Sequence, residues 1–146
     1  MALQTGMCLL HKQFALDAAT ARLAGFREDL RAFLAQAGFD EKSSGEVVLA
    51  VDERLTNIIR HGYRGGPGKI ELDARFSDGS LKISIKDYSA KFNPLNQPAP
   101  KLPPENPGGL GIFLTRKLMD EVTYDESFRS GNLLHLKKYK DKRGPL

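Results

Sequence analysis

Hydrophobic and polar positions alternate loosely from about Cys8 to Leu16, which predicts a first β-strand. The period then changes. Leu23, Phe26, Leu30, Phe33 and Leu34 recur at three- and four-residue spacing and give a helix one apolar face. Asp17 is the expected cap of that helix, and Gly38 its stop after about Ala37. A second helix is expected from about Lys42 to His61, capped by Ser43 or Ser44, with Val48, Val51, Leu55, Ile58 and Ile59 as its buried stripe. Gly62 and the run from Gly65 to Gly68 end it. Alternation returns at Ile70, Leu72, Ala74 and Phe76 and again at Leu81, Ile83 and Ile85, with a hairpin turn at Ser77-Asp78-Gly79-Ser80. A third helix should run from near Gly111 to about Met119. Strands near Val122–Asp125 and Leu133–Tyr139 follow, with Gly131 and Asn132 as their turn. This order suggests a layer of helices on a mostly antiparallel sheet.

Between the strands and the third helix the chain changes character. Six of its eight prolines fall between Pro94 and Pro107, a density that neither helix nor strand tolerates. A loop of that length inside a domain is usually a lid or a binding loop. The 146 residues suit a single domain, 1–146, with a short basic tail from about 140 to 146. The lone cysteine, Cys8, excludes a disulfide framework and reads as a small half-buried residue of the first strand. No run of about 18 apolar residues and no leader pattern is present, so a cytoplasmic protein without membrane contact is expected. The net charge of +4 gathers toward Lys137, Lys138, Lys140, Lys142 and Arg143, which read as a solvated end; with only Tyr139 there to stack, direct nucleic-acid binding is not expected.

Three places could carry chemistry. Glu53 and Asn57 lie one turn apart on one face of the second helix, roughly opposite its apolar stripe. Asp87 ends an alternating strand, where a carboxylate can accept a hydrogen bond from an amino group. Pro107-Gly108-Gly109-Leu110-Gly111 leads directly into the third helix, and a glycine-rich helix start offers free amides and a positive dipole end to an anion.

In this order the three elements resemble the boxes of the GHKL, or Bergerat-fold, ATPase superfamily. "AVDERLTNIIRHGY" resembles the N box, "IKDYSAKFNP" the G1 box, and "GGLGIFLTRKLMDEVTY" the G2 box with the helix after it. The wording of the first box, and the lack of a helical hairpin with a phospho-accepting histidine, are similar to the short anti-sigma-factor serine/threonine kinases of the RsbW type. The resemblance covers roughly residues 8–139. It implies an α+β two-layer sandwich, with a mixed, mostly antiparallel sheet covered on one face by helices. It implies ATP and Mg²⁺ as cofactors, with Asn57 as the metal ligand. Glu53 would be the general base, and Asp87 would bind the adenine amino group. Gly109, Leu110 and Gly111 would hold the phosphates, and residues 94–108 would form the ATP lid. The implied partners are a STAS-type anti-sigma antagonist as phospho-acceptor and a sigma factor, with a homodimer as the assembly.

The chain departs from the family pattern at Ser89 and Lys91, where glycines are common, so that Lys91 is expected to clash with the nucleotide or form an ion pair with it. Near the last strand Gly131-Asn132-Leu133-Leu134 stands where many relatives carry a threonine. These departures suggest the alternative of a non-catalytic module of the same fold that sequesters a regulatory protein. His61, at the end of the N box, reads as structural.

Overall fold

Two hairpins and two long helical connections build the sheet. The computed structural model describes residues 9–96 and 111–140. β1 (Leu10–Asp17), β2 (Lys69–Ser77), β3 (Ser80–Asp87), β4 (Glu121–Tyr124) and β5 (Asn132–Tyr139) form one sheet in the order β1-β2-β3-β5-β4. Among the described residues all four pairings are antiparallel, and none is parallel. The β2–β3 turn forms as read. Asp78 and Gly79 both have positive φ, 51° and 75°, the geometry that a two-residue hairpin needs to match strand twist.

The period of 2 sorts the sheet into two faces. Ile70, Leu72, Ala74, Leu81, Ile83, Ile85, Leu134 and Leu136 are buried on the inner face. α1 (Leu23–Ala37) and α2 (Glu41–Asn57) cover that face with their expected apolar stripes. Gly38 closes α1 with φ 91°, and amides of Gly38 and Phe39 turn back to Ala35 and Leu34 carbonyls. The two helices are tied by Arg27 Nε, which donates to Asp52 Oδ1 at 2.8 Å. α3 (Gly111–Leu118) packs against α2.

Several local expectations are corrected. Asp17 caps no helix; it is the last residue of β1, and a single 3₁₀ turn, Thr20–Arg22, precedes α1. Asp40, not Ser43 or Ser44, caps α2, its carboxylate accepting from the Ser43 amide at 2.7 Å. An aspartate with no β-carbon branch reaches the first-turn amides from just outside the helix, and the serines already lie within it. α2 does not stay α-helical to His61. It widens at Ile58–Gly62 into a π turn, closed by the Tyr63 amide on the Ile58 carbonyl at 2.8 Å. Pro94–Asn96 makes one 3₁₀ turn at the start of the proline-rich stretch, with Pro94 buried. Asn132 belongs to β5 and not to a turn. Lys138 is no solvated tail residue: it is 2% exposed and donates to the Leu118 carbonyl at 2.6 Å, with Glu46 Oε1 at 3.2 Å. Alternation from Leu134 and Leu136 turns it inward, and buried ammonium groups persist only when paired. Cys8, most of the lid (97–108), Gly109, Leu110, Lys142 and Arg143 lie outside the described residues.

Candidate functional site

The site lies where the C-terminal half of α2, the end of β3 and the start of α3 converge. α2 presents two different edges there. Its apolar stripe and Arg54 face the sheet. Glu53 and Asn57 are half-buried on the adjoining edge, turned toward α3 and not into open solvent. A β-carbon at Gly111 would run into the Asn57 side-chain amide and lie 3.6 Å from Glu53 Oε2. The first residue of α3 therefore rests directly on the Glu53–Asn57 pair, and only glycine allows that approach. Thr115, one turn on, is buried and donates to the Gly111 carbonyl at 3.0 Å. Small residues on this side of α3 keep its N-terminal dipole end close to the two polar side chains.

Asp87 forms the opposite wall and is fully buried. Its Oδ1 accepts from the Ser89 amide at 2.9 Å, the Ser89 hydroxyl at 2.6 Å and Asn132 Nδ2 at 3.1 Å. Its Oδ2 has no hydrogen-bond partner. Arg54 Nη2 stands 3.7 Å from that oxygen, and Arg54 Nε also lacks a partner. Burial pulls the Arg54 pKa below its ordinary value, and the Asp87 carboxylate opposes that shift.

Two residues that the sequence reading did not place in the site organise this wall. Asn132 donates to Asp87 Oδ1 and to the Ala90 carbonyl, while its Oδ1 accepts from the Phe92 amide at 2.8 Å and the Tyr124 hydroxyl at 2.6 Å. It thus fixes the segment after β3 to the last two strands. Tyr63, just past the π turn, donates to the Lys69 carbonyl at 2.6 Å and accepts from the Tyr88 amide at 2.7 Å. Burial raises its phenol pKa, so it stays a neutral donor. Gly131 has backbone of Asp87 and Tyr88 where a β-carbon would stand, which lets β5 start beside the carboxylate.

Ser89 and Lys91, the departures after β3, both make contacts within the protein. Ser89 donates to Asp87 Oδ1, with its hydroxyl close over Gly62. Lys91 is held by the protein itself. Its Nζ donates to the Phe128 carbonyl at 2.7 Å and lies 5.1 Å from the Tyr124 ring centroid. His61 is exposed on the π turn.

A family model, the histidine kinase-like ATPase domain, matches residues 16–138. The chain belongs to this family. Its ATPase-like domain is similar to the anti-sigma F factor of Geobacillus sp. (strain WCH70), with 30% identity over 135 residues, 89% of this chain and 91% of that protein. It is also similar to the anti-sigma F factor of Heyndrickxia coagulans, with 31% identity over 121 residues, 77% and 81% of the two chains. Among solved structures, that of the RsbU and RsbW domains of a Mycobacterium tuberculosis protein matches with a TM-score of 0.66 and 22% identity. That match covers 89% of this chain and 32% of the larger one, and it supports the fold of the ATPase-like domain. No helix among the described residues is long and apolar enough to cross a membrane.

Proposed function

We propose that this ATPase-like domain binds Mg·ATP and acts as a cytoplasmic anti-sigma regulatory factor with serine/threonine protein kinase activity. It would phosphorylate a STAS-type antagonist, bind a sigma factor and work as a homodimer. The anti-sigma F factors to which it is similar support the regulatory part of this reading. One observation carries the nucleotide part. Asp87 is 0% exposed, three donors saturate one of its oxygens, and the other is left without a donor. A buried carboxylate oxygen that lacks a donor costs about 1–3 kcal/mol or more, and an entering amino group removes that cost. The adenine amino group is such a donor.

The remaining residues fit the rest of the molecule. The Asn57 side-chain oxygen would be the protein ligand of Mg²⁺, with phosphates and water as the others, the usual arrangement for this ion. Bound there, Mg²⁺ supplies neutralisation of phosphate charge. Gly109, Leu110 and Gly111 would give backbone amides to the phosphates at the start of α3. Glu53 lies within a few ångströms of Gly111 and would orient the partner's hydroxyl and take its proton as that oxygen bonds to the γ-phosphorus and the bond from γ-phosphorus to the departing ADP oxygen breaks. Residues 94–108 would close over the nucleotide.

The buried guanidinium beside Asp87 favours a second reading, because it supplies charge compensation without any nucleotide. In that reading the domain holds a regulatory protein and transfers nothing.

Thermal unfolding with and without Mg·ATP separates the two. A ligand at 100 times its Kd adds about 2.7 kcal/mol, a rise on the order of several degrees at this size. The wild type should show that rise only with Mg²⁺ present, and Asn57→Ala should lose it. No rise at millimolar Mg·ATP for the wild type would leave the binding module as the function.

A further inference from the structure

Arg54 is a charged group that the proposed phosphotransfer does not use. It follows Glu53 directly, about 100° further round the helix, where it faces Asp87 at the end of β3, and it is 8% exposed. Its Nη2 is 3.7 Å from Asp87 Oδ2, close enough for charge attraction but beyond hydrogen-bond distance. Neither that oxygen nor Arg54 Nε has a partner. Both ions bear the cost of leaving water, which a buried pair recovers only with good geometry and satisfied hydrogen bonds. Arg–carboxylate pairs frequently close to two parallel bonds of roughly 2.8 Å. Here one carboxylate oxygen is held by Ser89 and Asn132, and the other faces the guanidinium without a hydrogen bond.

We infer that Arg54 and Asp87 act together to read the edge of a purine base, Asp87 Oδ2 accepting from an exocyclic amino group and Arg54 donating to the ring nitrogen beside it. This rests on the nucleotide-binding reading and deepens it by making Arg54 a specificity-determining residue. The pair asks for a donor next to an acceptor. A 6-aminopurine presents both, as its N6 amino group and N1. A 6-oxopurine in the same pose sets oxygen lone pairs against Asp87 Oδ2 and a ring N–H against the guanidinium, so both contacts become repulsive. No proton or electron moves; the inference concerns recognition alone.

Calorimetric titration of Mg·ADP and of Mg·1-deaza-ADP, in which C–H replaces ring N1, tests it on the wild type, Arg54→Met and Arg54→Lys. The wild type should bind 1-deaza-ADP about tenfold more weakly than ADP, the loss expected for one charged hydrogen bond. Arg54→Met should bind both at the weaker level, and Arg54→Lys should regain part of the difference. Circular dichroism checks that each variant is folded, and the lysine variant decides the matter if the methionine variant is not. An unchanged ratio of the two affinities in Arg54→Met would make Arg54 structural only and overturn the inference. ADP binding gained only in Arg54→Met would also overturn it, since the guanidinium would then be a block and not a reader, while the nucleotide site itself would stand. Absence of ADP binding from every form would sink the nucleotide reading and this one together.

Discussion

At the scale of single residues, the site depends on side chains whose charge or polarity is buried. Asn132 is 3% exposed and joins Asp87, Ala90, Phe92 and Tyr124. Asn132→Ala removes a donor from Asp87 Oδ1 and leaves the Phe92 amide and Tyr124 hydroxyl without their acceptor. Each buried group left unsatisfied costs about 1–3 kcal/mol, so a loss of about 2–4 kcal/mol is expected after partial relaxation toward water. Urea unfolding should show it as a lower midpoint at unchanged slope. A change below about 0.5 kcal/mol would mean that solvent replaces the amide, and that the wall beside Asp87 is held by other contacts. Glu53, Asn57 and Asp87 were legible in the chain because spacing and strand position bring them to one end of the fold. Arg54 and Asn132 were not. Nothing local separates a buried arginine from a solvated one, and Asn132 looked like a turn residue because Gly131 precedes it.

At the scale of elements, the decisive contact is α3 on α2. Gly111 touches the Asn57 amide, which is the far end of a flexible side chain. Gly111→Ala should therefore leave stability within about 1 kcal/mol, since alanine also favours the helix. It should nonetheless push Asn57 aside and weaken Mg·ATP binding severalfold or more, read by calorimetry. Equal affinity in the variant would mean that Asn57 need not hold its present position. Most elements followed from periodicity. The exceptions have physical causes. Asp17 was taken by strand pairing with Lys69, the first residue of β2, which outweighs a capping preference of about 1 kcal/mol. Lys138 faces inward because the period of 2 through Leu134 and Leu136 continues, and Glu46 of α2 supplies its counter-charge.

At the scale of the whole molecule, the helix-free face of the sheet should give a stability that depends on pH. His135 lies there, with Nδ1 2.8 Å from the Ser84 hydroxyl and Nε2 3.7 Å from Asp125. Burial, then Lys82, lowers its pKa below the ordinary 6.5, and Asp125 opposes them. The unfolded chain therefore takes up this proton first. The contribution is complete above the unfolded pKa and is lost as pH falls toward the folded one. Between about pH 7 and pH 5 the wild type should lose stability with a slope that His135→Gln flattens, measured by urea midpoints across that range. A parallel slope in the variant would assign the effect elsewhere. A second loss belongs at lower pH. Hydrogen bonds from His11, Arg75 and Gln13 hold Asp73 below its usual value against the opposing effect of burial, and those from Ser127 do the same for Asp125. Both carboxylates favour the folded state until they are protonated.

The sequence by itself determined the inventory of the described residues: five strands and three helices in order, the hairpin at Asp78-Gly79, the apolar stripes, and three polar points at family spacing. These are properties of period, turn chemistry and local order, which short-range sterics and burial impose. The tertiary structure alone decided that every strand pairs antiparallel, that Asn57 lies under Gly111, and that Asp87 keeps one oxygen free beside Arg54. Those facts depend on which groups, far apart in the chain, compete for the same buried hydrogen bonds, and a linear pattern carries no record of that competition.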